Sequence, residues 1–226
     1  MIEIYLLISA TITTLKLALL AMIIGLTLAI SIAIIEELKI FKILLIIGKF
    51  LFLIICSLPE VLVVIFIYLG ISKLLVILNN IIFNIGNINY INISPVLCGV
   101  IALALIYAAS AYQIISGAFK SISKSQWESG QVLGMNNNVI FFKLILPQMW
   151  QYALPGLGNQ WLVLLKDTAL VSLISVNDLM FQTKNIILIT NKPYKWYLLS
   201  AFIYILITLL SNLILLKINF LVNRFN

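Results

Sequence analysis

Apolar residues come along this chain in runs too long to be one buried face of a soluble helix. Leu17 to Ile35 is a charge-free run of 19 residues, and Tyr5 to Leu15 extends it toward the N-terminus. A helix crossing a hydrocarbon core about 30 Å thick needs about 20 such residues, so the pattern predicts a first span within 5–35. Glu36 to Lys42 reads as a short charged turn. A second span is expected over 50–70, with Lys49 snorkelling to one interface and Pro59-Glu60 falling near mid-depth. Residues 71–94, rich in Asn and Gly, read as an extramembrane linker with room for one short surface helix.

Pro95 to Phe119 has no charge across 25 residues and gives a third span, over 95–119. Its small residues, Ala102, Ala104, Ala108, Ala109, Ser110, Ala111 and Gly117, suit close helix approach. Gln148 to Gly158 reads as a segment broken by Pro155, Gly156 and Gly158. A fourth span over 159–176 carries Lys166 and Asp167. A linker over 177–195 leads to a fifth span over 196–216, with Trp196 and Tyr197 as interfacial anchors.

Composition agrees. Of 226 residues, 63% are hydrophobic and 9% charged, with a mean hydropathy of +1.18; a soluble domain is about one quarter charged. The fold class expected is an all-α integral membrane protein, one domain over 1–226. The N-terminus, MIEIYLL, carries an acid where a signal peptide carries bases and lacks a small-residue cleavage pattern, so it reads as part of a span. There is no histidine, and Cys56 and Cys98 lie in apolar runs as buried hydrophobes. That argues against a metal enzyme, and no cofactor is expected.

The net charge of +7 comes from basic residues that are scattered rather than clustered, which fits membrane flanks and not nucleic acid. Five spans put the termini on opposite sides. One side holds Lys39, Lys42, Lys49, Lys120, Lys124, Lys143, Lys217 and Arg224; the other holds Lys16, Lys73, Lys184, Lys192 and Lys195. The larger group belongs in the cytoplasm, with the N-terminus outside and the C-terminus inside.

The longest polar island, Ser125 to Pro147, then lies in a cytoplasmic loop of about 120–150. Gln126 to Leu133 makes two helical turns ended by Gly134. Asn136 to Asn138 form a turn with an asparagine suited to cap the next helix. Val139 to Leu146 is amphipathic, and Pro147 is expected to stop it. By pattern alone this is either a helix end offered to a partner's groove or a helix pair lying on the bilayer.

Glu128-Ser129-Gly130, then Gly134, then Leu144-x-Leu146-Pro147 resembles the EAA loop of ABC-importer permeases, with Ser and Gly for the two alanines and Leu for the isoleucine. The resemblance extends through Leu58-Pro59-Glu60, Val96 to Leu103, Ala153 to Trp161 and Lys166 to Ile174 to the polar amino-acid permeases, closest to the Q-type subunits of arginine importers. It departs in a shorter linker around 79–94 and a less basic tail. The resemblance implies a type I importer permease fold in a bacterial inner membrane, with no chemistry of its own. It also implies two ATP-binding subunits, a second permease (an M-type paralogue or a second copy), a periplasmic amino-acid-binding protein, and L-arginine or a related basic amino acid as cargo. Histidine, lysine, glutamine or a stand-alone channel are the alternatives. Glu128, Ser129, Gly130, Gly134, Leu144, Leu146 and Pro147 become the expected ATPase-coupling residues.

Charges at mid-membrane cost several kcal/mol and demand a reason. Glu60 and Lys166 fit an internal salt bridge between spans two and four. Alternatively, Glu60 or Asp167 lines a pocket for a cation, since a guanidinium pairs with a planar carboxylate through two parallel hydrogen bonds. Lys166 and Asp167 point about 100° apart and cannot both face one groove. Asn159 and Gln160, at the start of that span, are further candidates for the substrate path.

Overall fold

A computed structural model describes residues 2–83 and 94–223. Among the described residues nine α-helices follow in order: α1 (Ile2–Glu37), α2 (Lys42–Ser57), α3 (Glu60–Phe83), α4 (Pro95–Ser121), α5 (Lys124–Val132), α6 (Asn137–Ile140), α7 (Leu146–Asp167), α8 (Leu179–Thr190) and α9 (Pro193–Asn223). A π turn over Phe141–Ile145 joins α6 to α7, and a 3₁₀ segment over Thr168–Ile174 continues α7.

The core is a two-helix spine. Helix α1 buries Leu7, Ala10, Thr14, Leu17, Ala18, Ala21, Gly25, Ala29 and Ala33, at steps of three and four that make one stripe. This stripe meets α4 at Ala104, Tyr107 and Ala108, and Ala102, Ala109 and Ala111 of α4 are buried as well. Small residues on both sides let the backbones touch: a Cβ on Gly25 would sit 2.5 Å from the Ala104 carbonyl oxygen. Ser110 is only half-buried and Gly117 is exposed.

Among the described residues, α1, α4 and Pro193–Asn219 of α9 are each long and apolar enough to cross a bilayer. The pair Lys42–Ser57 and Glu60–Leu74 is a fourth candidate if its halves form one span, but it is bent by 120°. The single span expected over 50–70 is therefore two helices broken at Leu58-Pro59. Proline removes a backbone donor and disfavours helical geometry in the residue before it, and Leu58 is extended.

Other expectations are corrected in the same way. Residues 71–83, read as linker, continue α3; residues 84–93 and 224–226, with Arg224 and the end of the tail, lie outside the described residues. The expected linker 177–195 contains α8, capped by Asp178, which accepts from the N–H groups of Met180 and Phe181. Thr14 on α1 accepts the Leu179 N–H at 3.0 Å and so ties α8 to the spine. Trp196 is buried, its Nε1–H donating to Thr190 Oγ1 at 2.7 Å, and does not sit free at an interface. Cys98 is buried, but Cys56 is exposed.

The breaks expected at Pro147, Pro155, Gly156 and Gly158 are absent. Pro147 occupies the first turn of α7, where its missing N–H is harmless, and the π turn before it carries the chain straight through. Pro155 lies inside the helix. Gly156 and Gly158 are close-approach points, where a Cβ would lie 2.8 Å from Ile114 Cγ2 and 3.2 Å from Leu215 Cδ2 respectively.

Candidate functional site

Two clusters of the sequence-predicted residues are built by different parts of this frame. The first hangs from the end of α4. Ser123 caps α5, its Oγ accepting the Ser125 N–H at 3.2 Å. The helix ends on Gly134 at φ +73°, and the Met135 N–H closes onto the Gly130 carbonyl at 3.0 Å. That left-handed closure is the one Gly134 was expected to make. Asn136 holds the cap position of α6 with extended backbone but makes no side-chain cap bond.

Gly130 is buried against α6: a Cβ there would sit 2.7 Å from Ile140 Cγ1. Phe141 is buried and stacks on Phe119 of α4 at 6.0 Å between ring centroids. Gln148 Nε2 donates to Gln126 Oε1 at 3.4 Å and ties α5 to α7. The expected coupling residues thus divide. Glu128, Ser129, Gly134 and Pro147 are exposed; Gly130 is buried; Leu144 and Leu146 are half-buried against the core. Val132 and Leu133, one helical turn beyond Glu128 and Ser129, are 87% and 77% exposed. The sequence reading passed over them because two apolar residues in a two-turn helix look like packing.

The second cluster surrounds the end of α7. Glu60, the exposed first residue of α3, lies near enough to Asp167 for the two carboxyls to act on each other electrostatically. Asp167 Oδ2 is buried without a hydrogen-bond partner. The expected Glu60–Lys166 bridge is not formed; the ion pair found among the described residues is Lys49–Glu36 at 2.6 Å, so Lys49 does not snorkel alone. Lys166 turns the other way, into a groove with Ala169, Ala201, Tyr204 and Thr208. The helical step between adjacent residues is the cause.

The same step sorts the rest of α7. Gln160 and Asp167 are seven residues apart on one face, both half-buried. Asn159 and Lys166 are seven apart on the next, which continues through Tyr152, Pro155 and Val163 and is exposed along its length.

Comparison with known proteins agrees with this layout. Residues 21–225 match the family described as binding-protein-dependent transport system inner membrane component, and the chain belongs to that family. It is 51% identical to the arginine ABC transporter permease protein ArtQ of Escherichia coli (strain K12), covering 99% of this chain and 97% of that one. It is 40% identical to ArtQ of Haemophilus influenzae, over 96% of this chain and 93% of that one. The histidine/lysine/arginine/ornithine transport system permease protein HisQ of Escherichia coli (strain K12) is 33% identical over 70% and 68%. A solved structure described as an amino acid ABC transporter with histidines superposes at a TM-score of 0.79, with 29% identity over 95% of this chain and 92% of that chain. The chain is therefore an ABC transporter permease subunit and not itself an enzyme.

Proposed function

We propose that this chain is one half of the transmembrane path of an importer for L-arginine or a related basic amino acid, in a bacterial inner membrane. The observation that carries the cargo assignment is the Glu60–Asp167 pair. Two carboxyls drawn together repel unless a cation or a proton lies between them. A guanidinium or ammonium group satisfies both, and the unpartnered Asp167 Oδ2 is an acceptor ready for one. The names of the 51% and 40% identical relatives support arginine. The solved neighbour described with histidines keeps histidine as a second reading.

The path is walled by the exposed stripe of α7. A polar stripe holding Asn159 and Lys166 costs too much against lipid, so it faces an aqueous path or a second permease, a paralogue or another copy. Five spans follow if the bent α2–α3 pair counts as one and α7 as another. Helix α7 is about 33 Å long at 1.5 Å per residue, enough for the bilayer. It fails as an apolar span because it carries the polar residues the path needs. The N-terminus is then outside, and α5 projects into the cytoplasm.

There, Glu128, Ser129, Val132 and Leu133 form the face that enters a groove of an ATP-binding subunit, with Gly134 ending the helix and Gly130, Leu144, Leu146 and Pro147 supporting it. Phe141 against Phe119 transmits a push on α5 to α4 and thence to the spine, since packed interfaces shift as units. A periplasmic binding protein delivers the cargo at the opposite face.

The test is uptake by complexes reconstituted with the ATPase and the binding protein. Glu60→Gln with Asp167→Asn abolishes arginine uptake while nucleotide binding to the ATPase persists; Gln160→Ala weakens uptake less. Unchanged arginine uptake in the double variant contradicts the pocket.

A further inference from the structure

We propose that Glu36 is a positioning residue for transport: its carboxylate is a latch that holds α2 against the α1–α4 spine and opens during the transport cycle. Sequence placed Glu36 in a short charged turn. In the structure it is part of α1, 20% exposed, and takes three donors from two other helices. Lys49 Nζ of α2 donates to Oε1 at 2.6 Å; Tyr112 Oη and Ser116 Oγ of α4 donate to Oε2 at 2.5 and 3.2 Å. Tyr112 and Ser116 hold Glu36 to the spine independently of Lys49, so of the three donors to Glu36 the Lys49 one reaches α2.

Helix α2 is built to move. It buries a single residue, Phe52, whose ring lies 5.4 Å from that of Tyr112. It is further tied by Gly48 against Ile32, by half-buried Ile55 packed against the core, and by a Gln113 Nε2 to Cys56 Sγ contact at 3.3 Å. Before it, Lys39 and Phe41 are held at φ +55° and +47°, a region that costs about 1–3 kcal/mol for a side-chain-bearing residue and clusters at switch segments. After it comes the 120° break at Leu58-Pro59. A helix flanked by two hinges, with one buried anchor and one charge-assisted clasp, is an arm with a catch.

The arm also leads to the Glu60–Asp167 cluster. Its far end leads through Pro59 directly to Glu60 and thus to Asp167, so releasing α2 repositions the proposed cargo site. That link rests on the proposed cargo site; the hold of Lys49 on Glu36 does not.

Cys56 is a native probe, because it is exposed, lies on α2 and touches α4, while Cys98 is buried. The experiment measures maleimide modification of Cys56 in membranes holding the full complex, for the wild type, Lys49→Met and Lys49→Arg. Losing a hydrogen bond to a charged group shifts an equilibrium by about tenfold or more. Lys49→Met is therefore expected to modify about tenfold faster than wild type without nucleotide, and Lys49→Arg at the wild-type rate. Trapping the ATPase with nucleotide brings the wild-type rate to that of Lys49→Met. Equal rates for wild type and Lys49→Met, or a wild-type rate indifferent to nucleotide, overturns the latch. Absence of amino-acid uptake by the wild-type complex would instead count against the transport reading and leave the nucleotide-free comparison intact.

Discussion

Gly130 and Ile140 are in contact so close that a Cβ on the glycine would lie 2.7 Å from Ile140 Cγ1. The neighbour is a side chain, so a methyl group is accommodated by a shift of Ile140, at about 1–3 kcal/mol. A β-branched residue forces α5 away from α6. Gly130→Ala is expected to retain ATPase association with reduced thermal stability, and Gly130→Val to lose association. Co-purification of the tagged chain with its ATPase checks both.

The exposed tip of α5 makes a stronger prediction. Two adjacent apolar side chains as open as Val132 and Leu133, at the end of a projecting helix, suit burial in a partner's groove. Val132→Asp, Glu128→Lys and Gly134→Asp each leave the chain inserted. Each weakens ATPase binding, by at least about 2 kcal/mol if the residue is central to the interface, which is roughly thirtyfold. Wild-type affinity in all three, measured by titrating the detergent-solubilised permease with ATPase, contradicts the docking face.

Gly25 tests the spine. Its would-be Cβ meets a backbone oxygen, Ala104 O, and not a side chain that can turn aside. Gly25→Leu is expected to separate α1 from α4 and abolish folded expression. Gly25→Ala lowers the melting temperature in detergent by several degrees, consistent with a cost of about 1–3 kcal/mol.

Asp178, in the loop before α8, predicts a pH effect. It is fully buried, and burial pushes its carboxyl up to about 6, against the pull of the Phe181 and Met180 N–H groups and of Lys184. The folded state therefore holds a proton more tightly than the unfolded chain, whose carboxyl titrates near 4. The stability this group contributes is present at acidic pH and falls as pH rises through about 6. Asp178→Asn keeps an acceptor for the cap and removes the charge. The difference in melting temperature, Asp178→Asn minus wild type, is expected to grow from pH 5 to pH 7.5; a constant difference contradicts the assignment.

How much of this was legible beforehand differs by element. The apolar runs announced α1, α4 and α9, because hydrocarbon demands length and apolarity and little else. The glycine end of α5 was legible because Gly134 has few other uses after a short helix. Proline and glycine in α7 misled, since Pro147 and Pro155 look like stops in a soluble helix. Here a π turn and the close contacts of Gly156 with Ile114 and Gly158 with Leu215 absorb them.

The expected Glu60–Lys166 partnership is not the one the fold makes. Glu60 and Lys166 are complementary in sequence; the rotation of α7 turns Asp167 rather than Lys166 toward Glu60, and the packing of α2 on α1 brings Lys49 to Glu36. Val132, Leu133 and the polar hub at Glu36 carried no periodic signal, and exposure and tertiary contact alone reveal them.

The central claim is that this chain carries a basic amino acid under power supplied by a partner's ATP. Proteoliposomes holding the purified complex, ATP inside and the liganded binding protein outside, test it directly. The account predicts uptake of radiolabelled L-arginine that requires both ATP and the binding protein, is competed by unlabelled lysine or histidine more than by glutamine, and is lost with Val132→Asp. Arginine flux that proceeds without ATP, or ATP-driven uptake that prefers an uncharged amino acid, would contradict it.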